Sequence, residues 1–247
     1  MLSPYERSEK WMICATKFRN TIYLCQFNGD EKFPQPDDFF NRLSFSGYRF
    51  EKYLCSHIED VPPDPNYVDV HNNNQYCCVM RSRISDQHSS HSFVCGAEVD
   101  CQIPKFKEVP GTLSNFIEIK STRKIKTQSQ YDSFIKYKLI KWWAQSYLVG
   151  VPKVYVGYRN DKFQIQETEL LSIEKFPELG QHYWSANVCL NFLNQFLSFI
   201  KSNVTIDDPN VVYQFEFEPK EHEISCKRLT EPGHYQIIPE WYVKEFT

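Results

Sequence analysis

Residues 92–101 read SFVCGAEVDC and residues 114–121 read SNFIEIKS. In both, acidic or basic side chains recur at every second position of an apolar run, the period of a β-strand. As strands, they place Glu98 with Asp100 on one face and Glu118 with Lys120 on one face, and they turn Val99 and Ile119 to the opposite, apolar side. Paired in register, the two segments gather three carboxylates and one ammonium group on a common surface. Carboxylates packed together repel one another unless cations bridge them. The pattern therefore points to one or two hard divalent ions that also bind phosphate oxygens, Mg2+ first and Mn2+ next. In that arrangement Asp100 and Glu118 hold metal, Glu98 binds it or orients water, and Lys120 neutralises phosphate or positions the nucleophile. The bland alternative is a set of partly exposed strand residues in which Lys120 only offsets acidic charge.

Working outward, residues 117–141 carry seven Lys or Arg side chains against Glu118 and Asp132, a local surplus suited to a polyanion. Asp132 or Ser129 is expected to cap a helix through FIKYKLIKWWAQSYL (134–148), with Gly150 and Pro152 stopping it before the strand PKVYVGYR. Helical spacing sets Lys138, Lys141 and Gln145 on one face, so that Gln145 can face the acidic sheet, and sets Ile135, Leu139, Trp142 and Ser146 on another. Trp142 and Trp143 read as core rather than as a base-stacking platform. Upstream, residues 11–27 read as a β-hairpin turning at Arg19-Asn20, and residues 37–55 as a helix with Phe39, Phe40, Leu43, Phe50 and Leu54 as buried anchors. Residues 60–75 hold three prolines and several Asn and Asp side chains and read as a surface loop. YCCVMRSR and HSFVCGAEVDC are strands flanking a polar turn. A helix capped by Ser185, with Cys189, Phe192, Leu193, Phe196, Leu197 and Ile200 on one face, precedes a strand in VVYQFEFEP. The order is mixed α/β, and no linker is long enough to divide it.

The chain has 247 residues with 41% apolar and 16% aromatic side chains, which excludes disorder of the whole. Its formal charge of -3 removes any argument for nucleic-acid binding from bulk charge. No apolar run is long enough for a spanning helix, and the first residues lack the apolar core of a signal peptide, so a soluble intracellular protein without a membrane partner is expected. The nine cysteines include no CxxC pair and read as free thiols. His57, His71, His88 and His91 show no metal-ligand spacing and are expected in loops or on the surface.

GYRFEKYLC (47–55), YCCVMRSR (76–83), GAEVDC, FIEIKS and KLIKWWAQSYLVGVPKVYVGYR (138–159), taken in this order, strongly resemble the DXO/Rai1 family of decapping nucleases. The likeness runs from PYERSEKW and KFRNTIYL to VCLNFLNQFLSFI, DDPNVVYQFEFEP and IIPEWYVKEFT. It implies a mixed-sheet α/β fold of the metal-dependent nuclease type over residues 1–247, as a single domain. It also implies hydrolysis at RNA 5′ ends that removes incomplete or noncanonical caps, including the NAD type, together with 5′-to-3′ trimming. By the same resemblance Glu51, Glu98, Asp100 and Glu118 are metal-site carboxylates, with the Ile119 carbonyl as a further ligand to two Mg2+ ions. Cys77, Glu98, Lys120 and Gln145 contact substrate. Glu98, Asp100, Glu118 and Lys120 are the candidate catalytic residues. The expected partners are an RNA 5′ end and an RNA-processing protein, in the nucleus or the cytoplasm. The chain begins close to the family segment represented by PYERSEKW, so an upstream portion with a phosphate-contacting arginine is expected to be absent, and Arg7 and Arg19 do not match it. That departure keeps a second reading open, a catalytically weak relative that binds RNA or protein.

Overall fold

The computed structural model describes residues 4–27, 37–56, 61–64, 75–103 and 113–247. Its strands are β1 (Trp11–Phe18), β2 (Thr21–Phe27), β3 (Cys77–Ser85), β4 (Ser90–Glu98), β5 (Cys101–Gln102), β6 (Phe116–Arg123), β7 (Lys153–Arg159), β8 (Ile165–Ser172), β9 (Tyr213–Glu218) and β10 (Glu223–Arg228). The α-helices are α1 (Asp38–Leu54), α2 (Gln128–Ser133), α3 (Ile140–Val149), α4 (Phe176–Gly180), α5 (Ala186–Asn203) and α6 (Glu240–Phe246). The chain forms two compact units, one from residues 35–83 and 92–186, the other from residues 2–34, 84–91 and 187–247. The division falls between Pro34 and Gln35, in the Pro-rich stretch before α1, and also inside β3 and β4 and at the start of α5. Most of the loop expected at 60–75 lies outside the described residues.

In the second unit, β1 and β2 pair antiparallel across Arg19 and Asn20, whose φ angles of 50° and 62° are the left-handed values that a type I′ turn requires. The sheet order is β10-β9-β1-β2. Alternation along β9 turns Tyr213, Phe215 and Phe217 inward against Trp11 and Ala15 of β1, and α5 lays Phe196 and Ile200 over them. Trp11 stacks on Phe217 at 5.3 Å, and Phe196 meets Trp11 edge-on at 5.4 Å. The turn between β3 and β4 belongs to this unit. Asp86 Oδ1 accepts from the His88 and Ser89 amides at 2.7 Å each, and Asp86 Oδ2 accepts from Asn194 Nδ2 at 2.7 Å. His91, expected in a loop or on the surface, is buried instead, with Nε2 2.9 Å from Ser198 Oγ. It sits on the inward side of an alternating strand, a position that composition alone does not reveal.

The first unit holds a sheet of order β5-β6-β7-β8, parallel between β6 and β7 and antiparallel elsewhere. The β6-to-β7 crossover runs through α2, a π-helical segment (Phe134–Leu139) and α3. Thr127 caps α2, accepting from Gln130 N at 3.3 Å, rather than Ser129 or Asp132, which fall inside the helix. The wider π segment directs the Ile135 carbonyl to Trp184 Nε1 at 3.2 Å. Ile135, Leu139, Trp142, Trp143 and Ser146 are buried as the spacing predicts, and Gly150, at φ 84°, closes α3.

The helix at 37–55 forms as α1, with Asp37 Oδ1 accepting from Phe40 N at 2.7 Å. Its anchors differ from expectation: Phe50 is buried, Leu43 and Leu54 are half-buried, and Phe39 and Phe40 are 60% and 56% exposed. The C-terminal part of α1 is seated on the sheet, where Phe50 stacks on Tyr155 at 6.4 Å, whereas Phe39 near its start meets Phe163 of the β7–β8 turn at 5.8 Å. A Cβ at Gly157 would lie 2.6 Å from the Phe50 ring. Gly157→Ala is therefore expected to lower stability by about 1–3 kcal/mol in denaturant titrations, an overpacking cost that Gly157→Ala/Phe50→Leu partly restores.

Burial, then the Lys201 charge, push the His91 pKa below its ordinary value, against the opposing pull of Asp86. The unfolded chain then binds the extra proton first, so this contribution is complete above about pH 6.5 and is lost as pH falls towards the folded pKa. Thermal melts are expected to show a midpoint that drops below pH 6.5 in the wild type and drops less in His91→Gln.

Candidate active site

The stretch GAEVDC is not one strand. β4 ends at Glu98, where the Val99 amide donates to the Tyr76 carbonyl at 2.9 Å. The chain then changes partners, and Cys101 and Gln102 pair with Ile117 and Phe116 of β6. Continued by one residue, that antiparallel register sets Asp100 opposite Glu118. Here the ladder ends, and Asp100 Oδ2 takes the Ile119 amide at 2.7 Å in place of a backbone acceptor. A residue's N–H and C=O leave a strand on the same edge, so the Ile119 carbonyl also points to the edge that Asp100 occupies. Val99 and Ile119 are each 3% exposed on the apolar side, as alternation requires.

Glu118 is itself 3% exposed. Its Oε1 accepts from Gln145 Nε2 at 2.6 Å and from Lys120 Nζ. Gln145 thus reaches the sheet from α3, on the helix face inferred from spacing. Its neighbour on that face, Lys138, donates from Nζ to Thr122 Oγ1 at 3.1 Å, and burial of the ammonium followed by the Arg159 charge lowers its pKa. Glu51 lies in the last turns of α1, where its carbonyl accepts from Cys55 N at 2.9 Å. Cys55 Sγ in turn donates to the Asp100 carbonyl at 3.6 Å, which ties the helix end to the start of β5.

The electrostatics bind these residues into one cluster. Burial first, then the charge of Asp100, push the Glu51 carboxyl up to about 7; Glu98 and Glu118 add to the rise and Lys120 opposes it. Glu98 is raised by burial and by Asp100, with Lys120 and Gln75 pulling it back. Burial raises Asp100, against the Ile119 amide and Lys120, and it raises Glu118, against Lys120. Four carboxylates, on α1, at the end of β4, just before β5 and on β6, therefore share the Lys120 ammonium among the described residues. Cys77 opens β3 on an exposed rung, opposite Glu98 in the register fixed by the Tyr76–Val99 bond. The cysteines are free thiols. The role of Cys55 as a tie was not visible in sequence, because it lies 45 residues from Asp100 and no motif links them.

The donor set fits a hard divalent ion in kind, offering carboxylate oxygens and a backbone carbonyl. Among the described residues, however, no three His, Cys, Asp or Glu side chains converge at metal-ligand spacing. Glu118 Oε1 instead faces Lys120 and Gln145, and Asp100 Oδ2 faces the Ile119 amide.

A family model for the RAI1-like PD-(D/E)XK nuclease matches residues 1–243. The chain belongs to this family. It is 37% identical over 250 residues to the decapping and exoribonuclease protein of Xenopus laevis, covering 98% of this chain and 60% of that protein. It is 34% identical over 256 residues to the protein of the same name in Homo sapiens, covering 100% of this chain and 62% of that protein. The chain thus spans about three-fifths of the length of these relatives. Among solved structures, Scheffersomyces stipitis Rai1 in complex with (3′-NADP)+ and calcium ion superposes with a TM-score of 0.80 at 22% identity, over 98% of this chain and 69% of that one. Candida albicans Rai1 in complex with pU5-Mn2+ gives 0.79 at 20% identity, over 97% and 69%. The mixed α/β fold expected from the resemblance is the fold observed.

Glu51 offers a test of the site's electrostatics. With its folded pKa near 7 and its ordinary value at 4.5, the folded state binds the extra proton between these values. The charging cost is therefore complete above pH 7 and vanishes below 4.5. Without added divalent ions, Glu51→Gln is expected to gain on the order of 1–2 kcal/mol at pH 8, a figure reduced for solvent screening. The gain should fade towards pH 4.5 in denaturant titrations across that range.

Proposed function

We propose that this chain is a divalent-metal-dependent hydrolase acting on phosphate bonds at RNA 5′ ends. It removes incomplete or noncanonical caps, the NAD type included, and trims the exposed strand in the 5′-to-3′ direction. The observation that carries this reading is Glu118: a buried carboxylate opposite Asp100, joined to Lys120 on its own strand and to Gln145 on the crossover helix. The names of the relatives, decapping and exoribonuclease proteins, support the substrate class. The bound molecules of the fungal Rai1 structures, a 3′-NADP with calcium and a pU5 with Mn2+, support metal and RNA as ligands.

Glu51, Glu98, Asp100, Glu118 and the Ile119 carbonyl would hold one or two Mg2+ or Mn2+ ions. Bound there, the metal supplies charge stabilisation to a phosphoryl group and lowers the pKa of water. The residues of the chain do the rest. Lys120 and Gln145 leave Glu118 to bind the phosphate, Lys120 offsetting its negative charge and Gln145 donating from its amide. Glu98, the most exposed of the four acids, faces water and orients the attacking molecule. Asp100, held by the Ile119 amide, keeps its orientation through the reaction. Contacts to phosphate and ribose, rather than to base edges, make the cleavage indifferent to sequence. The carboxylate-rich site repels an RNA backbone when no cation is bound, so RNA binding as well as turnover should depend on the divalent ion.

A second reading, RNA binding without turnover, is favoured by one observation: the described carboxylates do not converge on a common point. The two separate in an assay of wild type and Asp100→Ala on 5′-monophosphate, triphosphate, incompletely methylated-cap and NAD-cap RNAs, with and without Mg2+. The hydrolase is expected to lose at least 100-fold in kcat on Asp100→Ala, and all activity without metal. Folded wild type with no Mg2+-dependent turnover above Asp100→Ala on every substrate would overturn it, and retained RNA affinity in that case identifies the binding protein.

A further inference from the structure

The outward face of the β3–β4 ribbon ends at the acidic cluster, and beyond the Cys77–Glu98 rung it has no role in the site described so far. Two backbone bonds set its register: Val99 N to Tyr76 O, and Asp86 N to Ser89 O, each 2.9 Å. They place Cys77 opposite Glu98, Val79 opposite Gly96, Arg81 opposite Val94 and Arg83 opposite Ser92. All eight residues are on the exposed side of the alternation. Leaving the acidic rung, the face therefore passes a glycine and two valines and arrives at two arginines. Successive residues on one face are about 7 Å apart, so Arg81 and Arg83 stand roughly 13 Å and 20 Å from the Cys77–Glu98 rung. Arg81 Nε donates to Ser92 Oγ at 2.9 Å. That bond orients the guanidinium and leaves the four N–H donors of its terminal nitrogens for other partners.

Gly96 is the second observation. Its φ is not positive, and among the described residues a Cβ built there meets nothing within 4 Å. Neither a turn nor packing among the described residues asks for glycine. A glycine inside a strand often serves a bulge, a bend or the close approach of a ligand or another backbone, and the open space at Gly96 suits the last of these. It lies between the acidic rung and the arginines, on the path that a strand threaded from the site would take.

Resting on the function proposed above, we infer that this ribbon face is a track for single-stranded RNA leaving the site on its 3′ side. Arg81 and Arg83 bind successive phosphates, and Gly96 gives the sugar-phosphate chain its close passage. Charge selects the occupant. The arginines repel cationic surfaces and attract phosphate, and continuity with Glu98 and Cys77 sets the direction. The arginines also draw the strand past the acidic rung, which would otherwise repel it.

The test uses the full chain with Mg2+ and a 3′-fluorescein 20-nucleotide RNA bearing a 5′-monophosphate. Anisotropy is read for Asp100→Ala alone and combined with Arg81→Gln/Arg83→Gln, Gly96→Leu or a Lys175→Gln control. Removing two phosphate contacts is expected to loosen Kd roughly tenfold and to make the log Kd against log salt slope shallower by about 1.4. Gly96→Leu is expected to loosen Kd with the slope kept, and the control to match the parent. Unchanged Kd and slope in folded Arg81→Gln/Arg83→Gln would overturn the track. So would equal arginine-dependent binding of a 20-residue poly-glutamate peptide, which would make the face an acidic-protein surface, or of a duplex RNA. Because the readout is binding, it stands apart from the turnover assay: turnover with unchanged anisotropy sinks only the track, and lost turnover with arginine-dependent binding sinks only the hydrolase.

Discussion

The closeness of Asp100 to Glu118, just past the end of the β5–β6 ladder, is the constraint on which the candidate site depends. Two carboxylates opposite each other on antiparallel strands repel, and burial makes the repulsion stronger. The chain meets this locally by ending the ladder. β5 is two residues long, and the bond that would continue it is replaced by Asp100 taking the Ile119 amide. Shortening β5 also frees the edge of β6 to which the Ile119 carbonyl points, and lets the chain change partner from β3 to β6 across residues 98–100. Glu51 and Gln145 are then placed by elements built for other reasons, a helix seated through Phe50 and a crossover buried through Ile135, Leu139 and Trp142.

The site works against stability. The four acids are pushed towards their neutral forms by burial, and among the described residues the Lys120 ammonium opposes that rise for each of them. A fold selected for stability alone would replace such a cluster with apolar side chains of similar volume. Its presence within a well-packed sheet supports the ligand-binding role proposed above. Bulk charge hides this, because -3 over 247 residues averages the acidic rung with the basic stretch that follows and with the arginines on the ribbon.

The positions that alternation and helical spacing made legible are those with a strong local period. Val99 and Ile119 went inward, Glu118 and Lys120 shared a face, Gln145 turned to the sheet, and the 11–27 hairpin turned at Arg19 and Asn20. The readings that failed depended on what lay across from a residue. Phe39 and Phe40 have the apolar character of anchors, but at the start of α1 they stay more than half exposed. His91 looks like one polar residue among several in a turn, yet it is buried beside Ser198, more than a hundred residues away. Thr127, rather than Ser129 or Asp132, caps α2 because the helix starts a turn earlier than its apolar face does.

Sequence by itself determined the strand and helix periods, the residue types of an acidic cluster beside a basic segment, and, through a resemblance spread over the whole chain, the family. Period and composition act over a few residues, and they survive without knowledge of partners. Tertiary structure alone decided where GAEVDC breaks, which strand each half joins, that Glu51 feels the charge of Asp100, and that Arg81, Arg83 and Gly96 lie on the face that ends at Glu98. These are consequences of register and of contacts between distant segments, and a one-residue slip in register would turn every side chain involved to the opposite face.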